Sequence, residues 1–461
     1  MTATTMPGNT RAPDAAGADP LLVAPILPTM LRLAAPNMLA MLAIALVAIA
    51  ETAYVGRLGT PQLAGMALVF PLIMLQQMMS AGAMGGGISS AVARALGARD
   101  EARAATLARH AVLIGAVAGI AMSAVFLFAG EAIYRLLGGR GAALEQALAY
   151  SNVVAFAVAN IWLTNTLASI IRGGGGMRVP SVTLLGSAAT QVIAGGVLGL
   201  GLGPFPRLGM AGIAAGQVIA FVASTLFLFW YLISGRARVR LGGLRAGFSW
   251  DMFRDILKVG AVACIMPLQT VLTILALTRL VSRFGTEALA GYGIGSRLEF
   301  LLVPITFAIG VACVPMVGMA IGAGDVARAR RVAWIGGGLA ATLTGAAGLL
   351  VAIFPQLWAG LFSSDPAVLA SSAAYLRWAG PGYGCLGLAM CLYFASLGAG
   401  KMLGPVLAGT VRLAVIICGG WWLAASGAPA SAMFVLVGAS MVIFGMAAAL
   451  AIYAVAWDPK G

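Results

Sequence analysis

One carboxylate and a set of neutral oxygens are placed where they could do chemistry in an apolar setting. Glu51 stands in AIAETAYVGRLG, inside a long apolar stretch. A charged side chain in hydrocarbon costs on the order of 2.5–3.5 kcal/mol, so it persists there only with a task or a partner. Such a group is accommodated either as the protonated acid or as a carboxylate neutralised by a bound cation, and one state can be exchanged for the other. That exchange is the minimum chemistry of a proton- or sodium-coupled pump. The plainer alternative is that Glu51 caps a helix end near the surface or pairs with Arg57. Asn160 and Thr164, one helical turn apart, together with Asn165, Gln191 and Gln217, could complete a cation site with oxygen ligands. Taken singly, each also reads as a polar link between helices.

The second half of the chain offers less. Gln269 is alone there, and Arg297 and Glu299 sit two residues apart in GYGIGSRLEF. On a helix they point about 200° away from each other, so each needs a partner of its own. Arg377 is one candidate partner for Glu299, and a structural ion pair and a transport role both stay open. With one histidine, His110, and five cysteines in apolar stretches at no zinc-like spacing, no resident metal site or cofactor is expected beyond a sodium at Glu51. GGGG at 173–176 has no Lys-Ser/Thr after it and no strand before it, so it is a hairpin and not a phosphate cradle. ATP does not drive such a protein directly.

The elements that must position these groups follow from composition. Of 461 residues, 61% are apolar and 9% charged. A soluble domain carries roughly 25% charged residues, so this chain cannot cover a water-facing surface. It is expected to be an all-α polytopic membrane protein whose environment is the lipid bilayer. The net charge of +14 is then a matter of loop placement and does not point to nucleic acid.

Twelve segments have the roughly 20 apolar residues needed to cross a bilayer: 29–55, 63–92, 106–130, 145–171, 180–203, 209–234, 257–281, 288–318, 332–356, 370–397, 404–426 and 430–456. With the N-terminus inside, twenty of the 28 basic residues, Arg172 and Arg412 among them, fall on the cytoplasmic side. Six fall outside, and Arg297 and Arg377 lie near or within the membrane. Both termini are therefore expected in the cytoplasm. Residues 1–24 read as a disordered cytoplasmic tail, 25–234 as an N-lobe of spans 1–6, 235–256 as a cytoplasmic inter-lobe loop and 257–461 as a C-lobe of spans 7–12.

An internal duplication supports that division. GRLGTPQLAG (56–65) matches SRFGTEALAG (282–291) at an offset of 226, and LGARDEARAA (96–105) matches IGAGDVARAR (321–330) at 225. At 225 the pairs Gly173/Gly398, Gly175/Gly400, Met177/Met402 and Pro180/Pro405 also coincide. A duplicated unit of six spans enters the membrane twice in the same direction, so its pseudo-two-fold axis lies along the membrane normal. Glu51 matches Leu277 at offset 226, which makes any coupling site one-sided. Pro36, Pro71, Pro267, Pro304 and Pro381 inside spans supply bends.

These residues resemble the multidrug and toxic compound extrusion (MATE) family over nearly the whole chain. The resemblance rests on the first-span acid followed by YVGRLGTPQLAG, on ARALGARDEARAA, on the RG-then-Pro turn at 172–180, on LGMAGIA (208–214), and on ALAGYGIGSRLEFLLVP with VGMAIGAGDVARARR. It implies a V-shaped protein of two six-helix bundles, exporting amphipathic, usually cationic small molecules in exchange for inward sodium or protons. In the family a first-span aspartate is central to coupling, and Glu51 stands at that place. Eleven residues after the Pro that begins the fifth span the family often has Asn, with Asp four residues on. Gln191 and Gly195 occupy those positions, and Ile274 and Gly387 stand about where some members carry acids in spans seven and ten. A lone glutamate suits protons better than a rich sodium cage.

The expected function is thus a cation-coupled antiporter, monomeric, in a bacterial inner membrane. A lipid-linked oligosaccharide flippase of the related fold would need several basic residues in its cavity, where only Arg297 and Arg377 are at hand. A membrane-embedded enzyme would need clustered His, Asp or Cys.

Overall fold

The computed structural model describes residues 19–241, 247–455 and 457. It is all-helical over these residues, with twelve helices long and apolar enough to cross a membrane. They are α1 (Ile26–Leu58), α2 (Thr60–Gly97), α3 (Glu101–Leu136), α4 (Gly141–Gly173), α5 (Arg178–Leu200), α6 (Gly209–Ile233), α7 (Trp250–Phe284), α8 (Thr286–Gly322), α9 (Val326–Ile353), α10 (Pro366–Ala399), α11 (Leu403–Ala425) and α12 (Ala430–Ala454). Most run several residues beyond the expected apolar windows, because a helix continues through polar ends until a turn or cap stops it. The expected tail is only partly tested, since residues 1–18 lie outside the described residues. Residues 19–24 depart from it: Asp19 caps a one-turn helix, Pro20–Val23, and pairs with Arg238, while the Arg328 guanidinium donates to the carbonyls of Leu21 and Ala24. The expected inter-lobe loop also ends early, as α7 already begins at Trp250.

Local chemistry explains why the two sequence repeats fold alike. Gly59 and Gly285, which separate α1 from α2 and α7 from α8, take φ of 138° and 101°, a region that favours glycine. Asp100 and Asp325 cap α3 and α9, each accepting from the backbone N–H three residues on, at 2.8 Å in both cases. Two expected bends are interruptions: a turn at Cys264, three residues before Pro267, divides α7, and a 3₁₀ turn, Gly380–Gly382, containing Pro381, divides α10. Within α2, Met78–Met84 is π-helical.

α1 to α6 pack chiefly with one another, and α7 to α12 likewise. The two halves approach most tightly near the end where α2 turns into α3 and α8 into α9. A Cβ on Gly97 would lie 2.2 Å from the Met319 carbonyl oxygen, and one on its repeat-equivalent Gly322 would lie 2.0 Å from the Arg94 carbonyl oxygen. Two equivalent glycines thus let α2 and α8 cross backbone to backbone on the pseudo-two-fold axis. Polar contacts reinforce this seal. Ser90 Oγ donates to the Gly398 carbonyl at 3.0 Å, and Asp255 at the start of α7 bridges Arg94 and Arg103 at 2.9 Å each. His110, fully buried in α3, holds the segment before α7: its Nε2 accepts the Ser249 N–H at 2.9 Å, and Phe248 and Phe253 meet its ring edge-on. This end also carries most of the arginines, and we refer to it as the basic end.

Candidate functional site

Glu51 lies on the inner face of α1, only 8% exposed, in the half of that helix farther from the basic end. Gln191 on α5, equally buried, donates its amide Nε2–H to Glu51 Oε1 at 2.8 Å. Of the expected oxygen ligands, Gln191 is the one that meets the acid directly. No ion pair joins Glu51 to Arg57 or to any other described residue, so the carboxylate has one neutral donor and no fixed counter-charge.

The other expected ligands divide into three groups. Gln217 on α6 is linked indirectly, since its Oε1 accepts from the Tyr150 hydroxyl of α4 at 3.4 Å and Tyr150 lies within electrostatic range of Glu51. Thr164 and Asn160 belong to a separate seam between α4 and α6. There the Thr225 hydroxyl donates to the Asn160 carbonyl at 3.1 Å and meets the Thr164 hydroxyl at 2.9 Å, while Asn160 Nδ2 turns back to the Phe156 carbonyl. Asn165 faces the other way, donating to Ser80 Oγ in the π-helical stretch at 2.8 Å. Residues 164 and 165 differ by about 100° around the helix, which sends one to α6 and the other to α2. The hydrogen bonds therefore place Gln191 at the acid, with Tyr150 and Gln217 behind it, tie Thr164 to α6 and Asn165 to α2, and turn the Asn160 amide back on its own helix.

In the second half, Arg377 is exposed and does not reach Glu299. The Tyr375 hydroxyl donates to Glu299 Oε1, and the cation within its electrostatic range is Arg412. Arg412 was counted with the cytoplasmic arginines; it lies inside α11, its guanidinium 5.5 Å from the Phe444 ring centre. Arg297 points outward over Phe362 at 5.2 Å. Gln269 is not alone: its Nε2 donates to Thr410 Oγ1 at 2.7 Å and ties α7 to α11. Glu299 also borders a small cavity with Thr306, Thr344, Tyr383 and Gly387. Tyr375 and Arg412 escaped the sequence reading, although an arginine ten positions into an apolar span was signal enough to find the second.

With this geometry in place, comparison with known proteins is decisive. The MatE family profile matches residues 36–197 and again 262–422, one match in each half. The chain belongs to the MatE family. Among curated relatives, a FAD transporter of Shewanella oneidensis is 26% identical over 80% of this chain and 81% of its own length. The probable multidrug resistance protein YoeA of Bacillus subtilis is 25% identical over 68% of the chain and 69% of its own. A solved MOP superfamily transporter from Pyrococcus furiosus superposes with a TM-score of 0.86 at 21% identity, covering 94% of this chain and 97% of that one. This MatE chain is accordingly a multi-pass membrane protein of a transporter family, with the fold of its solved relatives.

Proposed function

We propose that this protein is an antiporter that exports amphipathic organic molecules in exchange for inward protons or sodium, with Glu51 as the coupling group. The observation that carries the reading is the buried Glu51–Gln191 contact, a carboxylate with a single neutral donor and no cation of its own. A proton or sodium ion supplies the missing charge, and Gln191 offers a further oxygen as a ligand. The lone acid and thin oxygen shell favour the proton.

The basic end is proposed to face the cytoplasm, in keeping with the excess of arginine there. The tight α2/α8 crossing then seals the cytoplasmic side, and transport alternates this arrangement with one parted at that end. α1 can link the ion to that motion. Glu51 lies toward one end of α1, whereas near the other end Met30 packs against Gly336 of the opposite half, with Pro36 between them. An ion can shift the equilibrium only by its difference in affinity for the two arrangements. FAD is an anion, and one relative transports it, so the cationic charge that the family resemblance implies for the cargo is left out of the proposal.

The test is Glu51→Gln in proteoliposomes, with pH and sodium gradients applied separately. The variant should insert and fold yet lose gradient-driven efflux of an amphipathic dye, and full activity would refute the assignment. With proton coupling, wild-type efflux persists without sodium and collapses with a protonophore.

A further inference from the structure

A cavity of about 10 Å³ lies on the seam between the halves, near the basic end and on the pseudo-two-fold axis. Its two walls are repeat-equivalent and chemically opposite. Ser89 and Ser169 line the wall from the first half, and their equivalents at offset 225, Val314 and Phe394, line the wall from the second. Arg172 completes the polar wall, and its equivalent, Leu397, packs toward Gly86. A seam needed only for packing would keep both walls apolar. Here one copy of the duplication carries a cation and two hydroxyls facing an apolar mirror image.

Arg172 is 4% exposed and has no hydrogen bond or ion pair with any described residue. Its Nε–H is enclosed without a partner, and so is the Ser89 hydroxyl. Position in the last turn of α4 gives the guanidinium some help from the helix dipole, but that accounts for neither the enclosed hydroxyl nor the one-sided polarity. Buried guanidinium groups are otherwise paired, and their planar fork of donors matches a carboxylate or phosphate.

We infer that Arg172, with Ser89 and Ser169, is an oxyanion-binding subsite that takes a carboxylate or phosphate group of the exported molecule when the halves part at the basic end. In the sealed arrangement the cavity has room for no more than about one water, too little for either group. The anion therefore binds the parted arrangement better, loads from the basic end, and is expelled as α2 and α8 close. This difference in affinity between the two arrangements is what a transported molecule needs in order to respond to their alternation. The inference rests on the antiporter reading and deepens it by naming an acidic group on the cargo.

Riboflavin and riboflavin 5′-phosphate differ by one phosphate and share a fluorescent ring, so the two serve as probes. Equilibrium binding is measured on the purified full-length protein in nanodiscs. Wild type should hold the phosphate form at least about tenfold more tightly, the scale of one charge-assisted contact. Arg172→Gln should abolish that preference while leaving riboflavin binding unchanged, Arg172→Lys should retain part of it, and Ser89→Ala should reduce it a few-fold. Unchanged riboflavin binding also reports that the variants are folded. A wild type without the preference, or a preference that survives Arg172→Gln, overturns the subsite. The preference should be the same in phosphatidylcholine and in mixtures with phosphatidylglycerol, and its loss to the anionic lipid would assign the site to lipid headgroups instead. Glu51→Gln should keep the binding preference and lose ion-driven movement of both flavins, so the antiporter reading and the subsite fail separately.

Discussion

Gly97→Ala should open the seal at the basic end. A Cβ at this position would stand 2.2 Å from the Met319 carbonyl oxygen and 2.8 Å from two further backbone atoms of that residue. Ordinary non-bonded contact requires about 3.5 Å, so α2 and α8 must separate by roughly 1 Å at the crossing. Backbone cannot rotate away as a side chain can. Overpacking of this kind costs about 1–3 kcal/mol. Because the clash lies between the halves and not within one, parting them relieves it, and the cost falls on the sealed arrangement. The ratio of sealed to parted molecules should therefore drop about 5- to 150-fold, at a factor of ten per 1.4 kcal/mol. Spin labels on Ala102 and its equivalent Ala327, both exposed near this end on opposite halves, would report the shift as a longer distance population. Gly338→Ala is the control, since a Cβ there meets nothing within 4 Å. A folded Gly97→Ala protein with the wild-type distance distribution would refute the argument that this crossing closes the seam.

Asp255→Asn removes the charge that bridges Arg94 and Arg103, and the same label pair should show a smaller opening. The partners are 18–47% exposed, so solvent screening limits the effect to about 1 kcal/mol, or roughly fivefold, and the opening should grow with rising salt in the wild type but not in the variant. Glu299→Gln keeps an acceptor for the Tyr375 hydroxyl and removes the charge opposite Arg412, so thermal stability should fall by about 1 kcal/mol. Its transport should keep full dependence on the ion gradient, and loss of that dependence would move coupling into the second half of the chain.

Much of this was legible in the sequence because the membrane imposes it. Twelve apolar runs, glycines at equivalent turns, and Asp100 and Asp325 at equivalent caps are constraints that composition and spacing express directly. Gln191 was legible as a candidate ligand through its place in the fifth span, and it is the side chain hydrogen-bonded to Glu51. What the sequence could not express is which way a polar side chain turns once it is inside a bundle. Asn160, Thr164 and Asn165 clustered along the chain, yet the helical turn sent Thr164 to α6 and Asn165 to α2, the Asn160 amide bonds back to its own helix, and none of the three is hydrogen-bonded to Glu51. Counting arginines by side of the membrane leaves out something different. It assigns a side and says nothing of solvation: Arg172 and Arg412 were both counted on the cytoplasmic side, and one is enclosed on the seam while the other lies inside α11.

The duplication explains why the two halves need each other. Gly97 and Gly322 are kept in both copies because each provides the same backbone crossing for the other, and neither could close the seam against a bulkier partner. The buried charges are not duplicated: Glu51 corresponds to Leu277, and Arg172 to Leu397. A buried charge is costly, and carrying each one once halves that cost while the symmetric crossing transmits its effect to the opposite half. On this view, symmetry supplies the motion and asymmetry supplies the chemistry. Adding a second acid by Leu277→Glu would then burden the fold without improving the coupling.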